Sequence, residues 1–517
     1  MQTKTFPYSG HLILLLLILI KFFLHYNLIH PSYDLHRDEY LHLDQANHFA
    51  WGYISVPPFT SWVSGLIKLL GNSIFWVKFF PALFGALTMV LVWKIIEVFK
   101  GGLYAKILGV VCILFSVILR INILYQPNSF DILAWTAVFY FFIKYIQNYQ
   151  PKWLYFAAIS FAFGLLNKYN IAFLAIGMLP AILLSSHRII FLRKEVYISI
   201  IIVILIISPN LYWQYSNGFP VLYHMKELSE TQLVNFSKVD FLISQLLFFT
   251  AAIPVIFIGF IGLFYHEQLK PVRFMLLNFL ITLVVFIFFN AKGYYAIGLY
   301  PVYIAIGAVF VEKLFRGKLL LYIRHVFLIL PLVYLIMIYN LIFPVRPAEE
   351  IAGNSEAMKK MGLLRWEDGK DHQLPQDFSD MLGWEELAIK TRKAVASINQ
   401  PGDYILLCDN YGQAGAINFY AGGLNAWSFN ADYLNWIDLS KEYRHVVRVV
   451  DFEDREEELE ALKPYFETAY IFDSINNPLA REYKTSVLVF INSFIGINEI
   501  VEEEIKAEKA KIAGLKE

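Results

Sequence analysis

The chain has 517 residues, 57% of them hydrophobic and 17% aromatic, with a mean hydropathy of +0.51. A water-soluble fold cannot hide that much apolar surface, so lipid must solvate most of it. A formal net charge of zero leaves no electrostatic footprint for nucleic acid, and two cysteines are too few for a disulfide framework.

From the N-terminus, Lys4 precedes a long apolar run with no small-residue cleavage pattern. It reads as an uncleaved first span rather than a signal peptide. The polar loop that follows contains His36-Arg37-Asp38-Glu39-Tyr40-Leu41-His42 and continues to Gly52-Tyr53 and Pro57-Pro58. A helix beginning near Asp34, as its cap, would put Asp38, His42, Gln45 and Phe49 on one face, with Glu39 beside them. Pro57-Pro58 cannot continue that helix, so a second amphipathic segment starts near Phe59. Trp51, Tyr53, Phe59 and Trp62 suit a membrane interface. Two helices lying along the bilayer surface and presenting acids to a cavity is one reading. A solvated, purely structural interfacial helix is the other. His36, His42 and His48 could join Asp38 or Glu39 on a divalent metal, although a histidine in such a helix is more often a hydrogen-bonded surface residue.

A spanning helix needs about 20 mostly apolar residues. Eleven candidates emerge: 11–29, 78–99, 103–121, 129–148, 153–167, 170–186, 197–215, 241–264, 273–290, 294–312 and 319–343. Asp131 opens the fourth, where an acid also suits the helix dipole. Lys168 falls in the break Asn167-Lys168-Tyr169-Asn170, and Lys292 lies in Asn290-Ala291-Lys292-Gly293-Tyr294-Tyr295. Each lysine can snorkel to the interface or supply a point charge to a phosphate.

Beyond residue 344 the composition turns polar. Residues 345–402 read as helix and loop; β-branched or aromatic runs at 404–407, 446–450, 469–472 and 487–491 then alternate with helix-like stretches such as 456–462. That order predicts a small α/β domain with a partly parallel sheet. Residues 502–517 read as a charged helix or frayed tail. Gly412-Gln413-Ala414-Gly415 is similar to a phosphate turn but lacks the glycine fingerprint and its acidic partner. His372 and His445 have no evident ligand companions.

Lys94, Lys100, Lys106, Lys144, Lys152, Arg188, Arg193, Lys194, Lys270, Arg273, Lys313, Arg316 and Lys318 gather in alternate loops. The positive-inside rule therefore places the N-terminus inside. The Asp38 loop, and everything after residue 343, then lie outside. Three carboxylates and two lysines from separate segments share one membrane face. A base for an acceptor, together with cations for a phosphate leaving group, is what transfer from a phosphate-linked donor requires.

With Asp38-Glu39, Gly52-Tyr53, Pro57-Pro58, Ser129-Phe130-Asp131, Gly164-Leu165-Leu166-Asn167-Lys168, Lys292-Gly293-Tyr294-Tyr295 and Tyr300-Pro301 in this order, the chain resembles the membrane glycosyltransferases of family 39 and the related aminoarabinose transferases. These belong to the GT-C fold class and include the protein O-mannosyltransferases. Phe378 to Glu386 and Asn410 to Ala416 are similar to stretches of bacterial members. The resemblance implies a polyprenyl-phosphate sugar donor and inverting transfer. It implies Asp38 as the base or orienting residue for the acceptor, Asp131 as the acid opening the fourth span, and Lys168 as the ligand of the donor phosphate. Tyr294 and Tyr295 match positions near the lipid phosphate. Leu41 and Ser55-Val56 depart from the aminoarabinose subgroup, which has an arginine and a Glu-Lys pair there, so a lipid A acceptor is not implied.

The expectation is thus a polytopic α-helical membrane protein of the inner (cell) membrane, with a GT-C-like bundle of about 11 spans (1–343, first outer loop 30–77). An extracytoplasmic α/β domain (344–517) follows. Asp38, Glu39 and Asp131 are the catalytic candidates; Lys168, Lys292, Tyr294 and Tyr295 are the candidates for the donor phosphate. The acceptor is a lipid, glycan or protein, and metal dependence stays open. A secondary transporter or lipid flippase using acids near the membrane edge is the alternative, although such folds usually show inverted repeats. A scaffold whose outer domain recruits partners is a third.

Overall fold

The computed structural model describes residues 9–231, 237–317 and 320–512. The expectations attached to Lys4, Lys318 and the tail beyond 512 lie outside the described residues. Among the described residues, seven helices are long and apolar enough to cross a membrane, and up to nine if each of two sharply bent pairs counts as one span. Each of the eleven segments read from the sequence contains helix within its described residues. Two of them, however, contain the shorter helices Leu103–Leu114 and Pro151–Asn167, which explains the lower count. The protein is a multi-pass membrane protein.

Where lipid is the solvent, an outer helix is apolar on every side and only a central one is enclosed by neighbours. Gly293–Leu314 is the enclosed one, with 89% of its apolar window buried, whereas Lys194–Ser216 and Tyr322–Ile342 bury only 11%. Small residues set the approach distance, as expected between membrane helices. A Cβ on Gly307 would fall 2.1 Å from the Val255 carbonyl oxygen, and one on Gly259 would fall 2.7 Å from the Gly307 Cα. The helices Ile253–Tyr265 and Tyr300–Leu314 therefore touch backbone to backbone. Gly307→Leu is expected to force them apart and sharply lower the yield of monodisperse protein in detergent, read by size-exclusion chromatography.

The chain divides into two compact units: Met1–Leu28, Phe75–Tyr212 and Leu228–Phe343 form the first, and Ile29–Ile74, Trp213–Glu227 and Pro344–Glu517 the second. The loop after the first span, read from sequence together with the spans, thus groups with the C-terminal segment. Its buried polar groups find their partners there. Asp44 accepts hydrogen bonds from the Tyr433 hydroxyl (2.6 Å) and the Asn418 amide (2.7 Å). Asp432 accepts from the Ile54 backbone N–H, the Ser55 hydroxyl and the Gln45 amide at 2.5–3.0 Å. A buried carboxylate is tolerated only when satisfied in this way.

The second unit holds a five-stranded sheet: β1 (Asp403–Cys408), β2 (Ala426–Ser428), β3 (Tyr443–Val450), β4 (Phe466–Ser474) and β5 (Ser486–Ser493), in the order β2-β1-β3-β5-β4. β1 runs parallel to both β2 and β3, and β5 is antiparallel to β3 and β4. The partly parallel α/β sheet expected from the sequence is present. Only β2 escaped that reading, because three residues are too few to show a period. The chain leaves β1 towards β2 on one side and returns to β3 on the other, so the carboxyl end of β1 lies at a switch point of the sheet.

Candidate active site

In the first unit the site gathers at the start of the helix Asn128–Asn148. Asp131 sits in its first turn, buried, with both oxygens engaged. The indole N–H of Trp135, one turn on, donates to Oδ1 at 3.1 Å, and the Asn170 amide donates to Oδ2 at 3.0 Å. Asn170 also donates to the Tyr295 carbonyl at 2.9 Å, joining the two segments that carry the lysines. The helix Pro151–Asn167 ends at Lys168, whose extended backbone (φ −158°, ψ 125°) turns the chain aside. Asn167 fixes that exit by donating to the Pro127 carbonyl at 2.9 Å.

Lys168 Nζ donates to Asn128 Oδ1 at 2.8 Å and lies 4.4 Å and 5.0 Å from the ring centres of Tyr295 and Tyr294. Those rings stack edge-on at 4.7 Å. Asp131 and Lys292 are the charges that Lys168 senses. Two ammonium groups against one carboxylate leave the cluster cationic. An ammonium with three N–H donors, one given to an amide, has donors left for an anion. Sequence reading thus named Asp131, Lys168, Lys292, Tyr294 and Tyr295. It missed Asn128, Asn170 and Trp135, of which only the four-residue spacing of Asp131 and Trp135 was visible beforehand.

Asp38 and Glu39 belong to the second unit. The helix here is Arg37–Asp44, and His36 rather than Asp34 caps it. His36 Nδ1 accepts from the Asp38 backbone N–H (3.2 Å), and Glu39 Oε2 accepts from the His36 backbone N–H (2.6 Å). This reciprocal capping box satisfies two orphan donors and occupies Glu39 with the helix start. Asp34 serves instead as acceptor for the backbone N–H groups of Trp384 (2.9 Å) and Glu385 (3.3 Å), anchoring the helix Trp384–Ala396. Phe49 falls beyond the helix, and Tyr53 is buried rather than interfacial, its hydroxyl donating to the His48 carbonyl at 3.0 Å. Pro58 starts the second helix, Phe59–Leu69, as its sequence predicted.

Asp38 is half-buried, and its Oδ1 accepts a 2.7 Å hydrogen bond from the Tyr411 hydroxyl. The Arg37 guanidinium lies 4.5 Å over the Tyr411 ring. Burial alone would raise the Asp38 carboxyl, but His36, the Tyr411 hydroxyl, Arg37 and His42 together hold it below the usual carboxylate range. Burial pushes His42 down to about 4, so it is neutral near pH 7. The three histidines do not converge: His36 lies 3.7 Å from Asp380, and His48 stacks on Trp436 at 4.3 Å. Among the described residues no group of three or more His, Cys, Asp or Glu is arranged to hold a metal ion. Cys112 and Cys408 are buried, free thiols.

Residues 55–213, about a third of the chain, match the family model for dolichyl-phosphate-mannose-protein mannosyltransferases. No curated protein matches the chain in sequence. Among solved structures, the chain is similar to ArnT from Cupriavidus metallidurans bound to undecaprenyl phosphate. The TM-score is 0.60 at 12% identity, covering 94% of this chain and 98% of that one. The apo form of the same protein matches with TM-score 0.59 at 13% identity, covering 92% and 97%. The oligosaccharyltransferase of Archaeoglobus fulgidus in the apo form matches at 0.50 and 12% identity, covering 94% of this chain and 75% of that one. At such identities the likeness speaks for the fold. The chain has the GT-C fold of membrane glycosyltransferases, in agreement with the resemblance read from its motifs.

Proposed function

We propose that this GT-C-fold membrane protein is an inverting glycosyltransferase that moves a sugar from a polyprenyl-phosphate carrier to an acceptor at the outer face of the cell membrane. The observation that carries the reading is Lys168. It is an ammonium set against two tyrosine rings and an amide, with a second lysine as electrostatic neighbour, at the end of an apolar helix. A phosphate on a lipid tail suits such a place. The phosphate meets the cations while its hydrocarbon chain stays in the apolar bundle. The ArnT structure that holds undecaprenyl phosphate supports a donor of that class.

In the reaction, the Asp38 carboxylate takes the proton of the acceptor hydroxyl, and that oxygen attacks the anomeric carbon of the donor. The bond from this carbon to the phosphate oxygen breaks, and its electron pair leaves with the polyprenyl phosphate. Lys168, with Lys292, meets the charge that develops on the leaving phosphate. Tyr294 and Tyr295 shape its surroundings. Asp131, both of whose oxygens accept from neutral donors, keeps Asn170 and the Lys168 segment in register. Glu39 positions Asp38 by fixing the first turn of its helix. The outward orientation rests on the distribution of basic residues. Purified protein in lipid vesicles should transfer sugar from polyprenyl-phosphate donors and produce free polyprenyl phosphate. Proton-driven uptake of a solute with no glycosyl product would instead favour a transporter.

A further inference from the structure

We propose that Tyr411, from the C-terminal third of the chain, is the positioning residue that aims the Asp38 carboxylate and keeps it ready to accept a proton. The proposal rests on the reading of Asp38 as the base. It adds a component that neither the loop motif nor the family model, which ends at residue 213, contains.

Tyr411 opens the helix Tyr411–Tyr420, three residues beyond the carboxyl end of β1 at the switch point of the sheet. Its place is tightly determined. Asn410 caps the helix, its Oδ1 accepting from the backbone N–H groups of Gly412 (2.9 Å) and Gln413 (3.1 Å). The buried Gln413 side chain in turn donates to Asp451 and Glu482, both at 2.7 Å. Gly412 leaves the room that Arg37 needs: a Cβ there would come within 2.6 Å of the Arg37 side chain. Arg37 therefore lies along this first turn with its guanidinium over the Tyr411 ring. Across that contact the phenol O–H points at Asp38 Oδ1.

A donor held by a rigid helix start does two things for a base. It selects one orientation of the carboxylate, and it favours the ionised form. The charged and titratable groups facing Asp38 are His36, Arg37 and His42 from its own segment and Tyr411 from the neighbouring helix. Asp380 and Glu482 face Arg37. Burial and the Asp38 charge push the Tyr411 phenol up, so it stays a donor throughout the working range.

The test is the pH profile of kcat/KM for Tyr411→Phe, measured on the full-length protein in lipid vesicles beside the unaltered enzyme and Asp38→Asn. Without the phenol the carboxylate binds its proton more tightly, so the acidic limb moves to higher pH, by about one unit for one hydrogen bond to a charged group. Tyr411→His, which restores a ring N–H donor, should move the limb back, and it keeps the question open to measurement should Tyr411→Phe fold poorly. An acidic limb that does not move in Tyr411→Phe, while Asp38→Asn is inactive, overturns the positioning role and leaves Asp38 as base. Full transfer by Asp38→Asn removes the base and with it anything to position.

Discussion

Asp38→Asn will lower sugar transfer by about 10²- to 10⁴-fold, the usual contribution of a general base, while the protein inserts and folds as before. The substitution is nearly isosteric. An amide oxygen can still accept from the Tyr411 hydroxyl, so the helix Arg37–Asp44 and its cap should persist. What disappears is the ability to take a proton at neutral pH. Because His36, Tyr411, Arg37 and His42 hold the native carboxyl below the usual carboxylate range, that group is ionised near neutral pH. The loss should thus appear in kcat, with little change in the donor concentration needed for half-saturation. Transfer assays with a labelled polyprenyl-phosphate sugar, alongside a thermal melt in detergent, separate the catalytic effect from instability. Transfer at the unaltered rate would remove Asp38 from the chemistry.

Lys168→Met should weaken the enzyme by about 10- to 150-fold in kcat/KM, corresponding to roughly 1.5–3 kcal/mol for a hydrogen bond to a charged group. Methionine is close to lysine in length and still reaches the two rings that the ammonium touches, so packing against Tyr294 and Tyr295 is largely preserved. The lost ammonium no longer meets the charge that grows on the leaving phosphate, so kcat should fall along with donor affinity. Lys168→Arg should restore only part of the rate. A planar guanidinium cannot keep the same point contact with Asn128 Oδ1 at 2.8 Å and still aim at the phosphate. Steady-state kinetics over a range of donor concentrations decide the matter. Unchanged kcat/KM would show that the phosphate is held elsewhere.

Much of this was legible in the sequence for a physical reason: the bilayer demands long apolar segments, so the helical segments of the bundle and the acids and lysines interrupting it stand out against a uniform background. Asp131, Lys168 and Lys292 are visible because charge is rare in their surroundings. Asn128 and Asn170 were not, since an amide in a polar break has no periodic signature, although the two now hold Lys168 and Asp131 in place. The helix start was misplaced by two residues because Asp34 is the stronger cap by residue type, yet its carboxylate is committed to the N–H groups of Trp384 and Glu385. Glu39 read as a second acid, but its carboxylate closes a capping box. Tyr411 lay within the stretch Asn410 to Ala416 that is similar to bacterial members, but its pairing with Asp38 was out of reach, since no local pattern reports a partner so far along the chain.

That separation has a consequence for biogenesis. Asp38 and Tyr411 are 373 positions apart, Asp44 and Tyr433 389, and Gln45 and Asp432 387. Contacts between such distant positions form only after the intervening chain has been made and must overcome the entropy of closing a very long loop. The acid-bearing loop is made early and can gain these partners only once residues 411–433 have been synthesised. A nascent or truncated chain ending near residue 343 would carry the helices described above without the partners of Asp38, Asp44 and Gln45, and is expected to show no transfer.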